Sequence, residues 1–165
     1  MTTTTRALTL GHSPDSDDAF MFYGLASGNV PTDGLGYEHI LKDIQTLNEW
    51  AKEGRLDTTA ISVHVYAYVA QTYAILNHGA SMGERDYGPL VVSRAKASVA
   101  DLRGKRVAVP GLMTSAYLAL RLCIGEFEPV VMPFDVIMEA VASGDYDFGS
   151  VSYTHLRAHE TGRNL

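Results

Sequence analysis

The sequence predicts an α/β fold with a largely parallel sheet, and three observations carry that prediction. Short apolar runs alternate with amphipathic stretches of ten or more residues, the pattern of strands joined by crossover helices. The 165 residues are 46% hydrophobic and 19% charged, a globular balance, with no internal repeat and no low-complexity tract beyond the threonines at 2–5. Stretches rich in Ser, Thr and Asp fall just after strand candidates, where ligands of open α/β sheets bind.

The elements follow in chain order. Residues 6–11, RALTLG, read as a first strand closed by a polar loop. From Asp17 the pattern DDAFMFYGLASG is helical, with Phe20, Tyr23 and Leu25 as its apolar positions and Gly28 as its stop. GYEHIL is the second strand. DIQTLNEWAKEGRL is an amphipathic helix with Ile44, Leu47 and Trp50 on one face and Gly54 at its end. TTAIS reads as a buried third strand because it carries few charges, and YAILN and GPLVVSR are further strand candidates around the glycine-rich GASMGERDYG. A crossover at SRAKASVADLRGK leads into a second unit. That unit reads as strand KRVAVPG, helix TSAYLALRLCIGEF, strand EPVVMPF, helix DVIMEAVASGDY stopped by Gly144, and the start of a strand at DFGSV.

Composition narrows the function classes. A net charge of −6 and a pI near 5.4 oppose nucleic acid as the partner, because phosphate binding needs clustered Lys and Arg. The longest basic cluster, Arg103, Lys105 and Arg106, falls on a turn that leads into a strand and points to solvent. The single cysteine, Cys123, excludes an internal disulfide framework and a multi-cysteine zinc site, and its helical neighbours predict a buried core thiol. MTTTTRALTL has none of the marks of a signal peptide, and no apolar run approaches the ~18 residues of a membrane span. A cytoplasmic protein is the expectation.

Three stretches could carry chemistry. In GHSPDSDDAF the Ser and Asp side chains can cap the following helix, and Asp17 and Asp18 suit its positive end. His12, Ser13 and Asp17 are the cleft-lining candidates here. The spacing lacks the glycine and distal glutamate of a calcium loop, so no metal is expected. In TTAISVHVYAY, Ser62 closes the third strand with its hydroxyl toward a cleft, and His64 reads as a hydrogen-bonded structural residue rather than a base. In VAVPGLMTSAYLAL, Pro110 and Gly111 break the strand and Thr114 and Ser115 open a helix. Hydroxyls beside free helix N–H groups can hold a carboxylate or phosphate; a plain N-cap is the alternative. No G-x-G-x-x-G or P-loop is present, and no cofactor is expected. At the carboxyl end, His155, His159 and Glu160 match neither H-E-x-x-H nor H-x-x-E-H.

Taken in order, SPDSDDAFMFYGL, LKDIQTLNEWAKEGRLDTTAIS, GASMGERDYGPLVVSR and GKRVAVPGLMTSAYL resemble successive blocks of the 1,4-dihydroxy-6-naphthoate synthase family, from about Leu8 to Gly149. That family acts in the futalosine route to menaquinone. The resemblance implies a periplasmic-binding-protein-like (type II) fold of two α/β lobes with the ligand in the cleft. The first lobe is then mostly present over 6–94, the second incomplete over 95–150, and 151–165 is a foreign-looking tail. The resemblance further implies a lyase acting in the cytoplasm on cyclic dehypoxanthine futalosine, releasing the sugar-derived fragment and leaving the dihydroxynaphthoate. Carried over position by position, substrate contacts fall on Ala60, Ile61 and Ser62, and on Thr114 and Ser115. The expected partners are this small molecule and a second copy as a homodimer, with neither nucleic acid nor membrane.

One departure stands out. The family carries its catalytic histidine in a Gly-Leu-Ile-Ile-His-Glu segment, and Gly149 matches the segment's glycine. The next four residues are Ser150, Val151, Ser152 and Tyr153, so Tyr153 stands in register with that histidine. His155 is two positions on, a displacement of roughly 6–7 Å along a strand. Proton abstraction needs hydrogen-bond reach of about 3 Å, so the chain is expected to lack the base and to be inactive. Residues 151–165 also resemble the translated read-through at broken ends of assembled reading frames, in which His155, Arg157, His159 and Glu160 have no selected role. The alternatives are chorismate dehydratase of the same pathway and a non-catalytic solute-binding module.

Overall fold

Strand β1 (Thr5–His12) is the centre of the first sheet, pairing in parallel with β2 (Leu35–Leu41) on one side and β3 (Thr58–Thr59) on the other. The computed structural model describes residues 5–82 and 88–151, and the chain divides into two units, 1–82 and 83–165. Helices α1 (Ser16–Ala26), α2 (Ile44–Lys52) and α3 (Val63–Val69) complete the first unit. Leu10, Leu47, Ala51, Leu56, Val65 and Val69 are buried.

Local chemistry explains most of these elements. Asp43 caps α2 by accepting from the Thr46 N–H at 3.0 Å, and Leu47 and Ala51, four apart, turn one face inward. Gly54 follows with a φ of +66°, a conformation glycine adopts without Cβ strain. The contact of α2 with the sheet is close at Gly11, where a Cβ would meet Leu56 Cδ1 at 2.5 Å and Leu47 Cδ2 at 2.8 Å. The short β3 is aligned by a side-chain clamp. Asp57 Oδ2 accepts from the Thr9 N–H at 3.0 Å and its hydroxyl at 2.9 Å, and the Asp57 N–H donates to Thr9 Oγ1 at 2.8 Å.

Three expectations for this unit change. The third strand stops at Thr59, and Ser62 is the N-cap of α3 instead of a strand end. The β-branched and aromatic run VHVYAYV reads poorly as a helix by propensity; burial of Val65 and Val69, one turn apart, favours it. YAILN forms no strand, and Ile75 and Leu76 are 66% and 68% exposed, while the Tyr73 hydroxyl donates to the Leu56 carbonyl at 2.6 Å. In α1, Phe20 is 87% exposed and Tyr23 is exposed too. The helix is turned by buried Asp18, which bonds the Ser13 N–H, so the inward face is 18, 21, 22 and 25.

The second unit has a four-stranded mixed sheet in the order β4-β7-β5-β6, from β4 (Leu90–Ser93), β5 (Arg106–Val109), β6 (Glu128–Val131) and β7 (Phe148–Val151). Strands β6 and β7 flank β5 in parallel, and β4 runs antiparallel to β7. A 3-10 turn (Val99–Leu102), α4 (Ser115–Ile124) and α5 (Phe134–Ser143) cover it. One core gathers Leu102, Val107, Val109, Leu120, Ile124, Phe127 and Phe148; another joins Ala108, Ile137 and Val151. Burial on both faces accounts for the unbroken apolar run of β5. Gly144 ends α5 at φ +95°, where a Cβ would also meet the Arg94 guanidinium at 2.8 Å.

Two expectations differ here. The first lobe was expected to reach residue 94, yet β4 pairs along its length with β7 in the second unit's sheet, and the division falls between 82 and 83. Cys123 is exposed and not a core thiol, because α4 turns Leu120 and Ile124 inward and Cys123 lies about 100° round the helix from Ile124.

Candidate functional site

In the first unit the candidate residues follow the carboxyl ends of β1 and β3. The Ala60 N–H donates to the Gly11 carbonyl at 2.8 Å, which holds the two strand ends together beyond the ladder. Ala60 and Ile61 are half-buried and Ser62 is buried. Ser62 is gripped by Asn48, which is itself fully buried in α2. Asn48 Nδ2 donates to Ser62 Oγ at 3.0 Å, and Asn48 Oδ1 accepts from the Ser62 N–H at 2.8 Å. The Ser62 hydroxyl is thus an acceptor toward Asn48, and its own proton remains to be donated.

Sequence reasoning missed Asn48. The available signal was its position four residues after Ile44 and beside Leu47, on the inward face of α2. A polar side chain on a buried face requires a partner.

The GHSPDSDD stretch closes on itself. His12 is buried, with Nδ1 3.1 Å from the Ser13 carbonyl and Nε2 3.0 Å from His39 Nδ1. The Ser13 N–H donates to Asp18 Oδ2 at 2.7 Å, and the Asp15 N–H donates to Ser13 Oγ at 3.1 Å. Asp17 Oδ2 accepts from the Ser81 hydroxyl at 2.8 Å. Both His12 nitrogens are therefore engaged, Nδ1 with the loop and Nε2 with β2. Burial pushes the Asp18 carboxyl above its ordinary pKa; the Ser13 N–H opposes that, and the nearby Asp17 charge adds to it. His64 sits in the first turn of α3 with its ring edge-on to Tyr68 at 5.9 Å.

In the second unit, Thr114 is buried at the N-cap of α4. Its hydroxyl donates to the Gly111 carbonyl at 2.8 Å and accepts from the Tyr117 N–H at 3.2 Å, so it is committed to the turn. Ser115, the first residue of the helix, is exposed. Among the described residues no group of three or more His, Cys, Asp or Glu could hold a metal, and no helix is long and apolar enough to cross a membrane. Tyr153, His155, Arg157, His159 and Glu160 lie outside the described residues, as does the expected tail beyond Val151.

Comparison with known proteins gives this arrangement a class. The chain superposes on the alkanesulfonate-binding protein SsuA of Xanthomonas axonopodis pv. citri with a TM-score of 0.63 at 18% identity, covering 92% of this chain and 56% of that one. At that identity the likeness shows the fold alone: α/β, of the periplasmic-binding-protein-like kind. The chain belongs to the menaquinone biosynthesis family, whose model matches residues 8–151.

Similar proteins include the 1,4-dihydroxy-6-naphtoate synthase of Thermus thermophilus, 43% identical over 145 residues and covering 88% of this chain and 52% of that protein. The protein of the same name from Streptomyces coelicolor is 40% identical over 150 residues, covering 87% of this chain and 52% of its own length. A crystal structure of an Archaeoglobus fulgidus protein superposes with a TM-score of 0.83 at 46% identity, covering 88% of this chain and 53% of that one. The chain spans about half the length of the curated relatives it matches.

Proposed function

We propose that this chain carries substrate-binding elements of a 1,4-dihydroxy-6-naphthoate synthase, a lyase whose substrate is cyclic dehypoxanthine futalosine. The observation that carries the reading is the Asn48–Ser62 pair at the carboxyl ends of the first sheet, in a chain 43% identical to a relative of that name. Ser62 offers its hydroxyl proton to a polar group of the ligand, and Ala60 and Ile61 flank it. Ser115 and the N–H groups of the first turn of α4 offer donors suited to a carboxylate, with Thr114 holding the turn. A cytoplasmic location and a homodimer belong to the same reading.

The same reading has Tyr153 in place of the catalytic histidine, so binding is retained and turnover is lost. The test is to incubate the full chain with cyclic dehypoxanthine futalosine, following heat of binding and release of the dihydroxynaphthoate. Binding without product above background is expected. Product formation overturns the inactivity; absence of binding overturns the substrate assignment. The names of the matched relatives favour this reading over chorismate dehydratase or a solute-binding module.

A further inference from the structure

Strands β1 and β2 place Leu10 opposite His39 and His12 opposite Leu41, and His12 reaches diagonally back to His39. The proton positions follow from the partners. The Ser13 carbonyl only accepts, so His12 Nδ1 carries a proton and donates to it. In the neutral ring Nε2 is then an acceptor, and His39 Nδ1 must donate to it. One histidine orients the other, and the first is tied to the backbone at the start of α1.

Protonation acts unequally on this pair. A proton added to His39 at Nε2 leaves the Nδ1–H bond to His12 in place. A first proton on His12 Nε2 only reverses the bond, with His39 Nδ1 as acceptor and its own proton on Nε2; the second proton leaves neither nitrogen an acceptor and sets two cationic rings against each other at 3.0 Å. We propose that His12 and His39 form an acid-sensitive clamp that fastens the start of α1 to β2 and lets go when both rings are charged. Release frees His12 from β2, and with it the hold on Ser13, whose N–H bonds Asp18 and whose hydroxyl accepts from Asp15.

Charged groups lie on both faces of the sheet. On the His12 face stand Phe22, 4.7 Å from the imidazole, Tyr37 on β2, and Asp15, Asp17 and Asp18 around the start of α1. Of these, Asp18 feels the charge of a protonated His12, which acts against the larger upward effect of burial on its carboxyl. Alternation along the strands puts Glu38 and Lys42 of the β2 region, Asp57, and the α2 charges Asp43, Glu49 and Lys52 on the Gly11 face, across the sheet. Burial, and then the charge of His12, lower the pKa of His39.

The test is side-chain nitrogen NMR on the full chain between pH 8 and pH 4. Both rings are expected as Nδ1–H tautomers at pH 8, and the pair is expected to take up its two protons in separate steps, as coupled sites do. Protection factors of the Ser13 and Asp15 amides, which remove the intrinsic pH dependence of exchange, should fall about tenfold with the second step, as in local opening. An Nε2–H tautomer at His12, or simultaneous titration with no change at Ser13, overturns the proposal. The His39→Gln variant keeps a donor toward His12 and removes the titration, so the acid-induced exchange should disappear. Its persistence in that variant would assign the effect to other groups and sink the clamp. Should that variant not fold, the titration of the unaltered chain decides.

Discussion

Asn48 holds Ser62 with both ends of one amide, its NH2 on the Ser62 oxygen and its carbonyl on the Ser62 N–H. The pair joins the interior of α2 to the N-cap of α3, fourteen positions along the chain. Asn48 thereby satisfies both the N–H and the oxygen of the buried Ser62.

Replacing Asn48 by Ala should therefore cost about 1–3 kcal/mol, the range for stranding buried polar groups. Denaturant unfolding measures it. Ser62→Ala, which leaves the backbone bond in place, should cost less stability and, on the function proposed above, weaken binding of cyclic dehypoxanthine futalosine. Equal stability losses in the two variants would contradict the assigned geometry.

Glycine at two sheet positions is required by space. At Gly11 a methyl would fall 2.5 Å from Leu56 Cδ1, and at Gly149 it would fall 2.6 Å from Ile137 Cγ2. Gly11→Ala and Gly149→Ala should each destabilise by about 1–3 kcal/mol through overpacking. Residue-level exchange should place the first loss in residues 5–82 and the second in 88–151.

The Asp18 carboxyl is raised above its ordinary pKa, chiefly by burial. The folded state then holds a proton more tightly than the unfolded chain. Its contribution to stability is present in acid and fades as pH rises from about 4 through the elevated value. Asp18→Asn mimics the protonated form and keeps an oxygen for the Ser13 N–H. That variant should flatten the stability profile across this window, read from melting temperature against pH.

Thr114 caps α4 through a hydroxyl that both accepts and donates. Thr114→Ser should be close to neutral, and Thr114→Val should cost about 1–2 kcal/mol, as lost N-caps do. Thermal unfolding distinguishes them, and a neutral valine variant would contradict the cap.

Much of the fold was legible because it is local. Gly54 and Gly144 stop α2 and α5, Asp43 and Thr114 begin α2 and α4, and the strand–helix alternation is visible as period and punctuation. Where the local signal and the tertiary fit disagreed, the fit prevailed. Phe20 and Tyr23 look like core positions of α1, but the bond from Ser13 to Asp18 rotates the helix so that Phe22 packs on His12. Of the candidate residues, Ser62, Thr114 and Ser115 were singled out by type and place, whereas the buried pairings of Asn48 and His39 were not.

By itself the sequence determined the kind and order of the main elements apart from α3, the α/β class and the menaquinone biosynthesis family, because periodicity, breakers and family blocks are properties of neighbouring residues. Only the tertiary structure decided that β4 joins β7, that Thr9 meets Asp57 across 48 positions, and that His12 and His39 share a proton bridge. Those contacts depend on which strands lie side by side. Strand order is settled by burying the apolar faces of the sheet and satisfying its backbone groups together, and no local stretch encodes it alone.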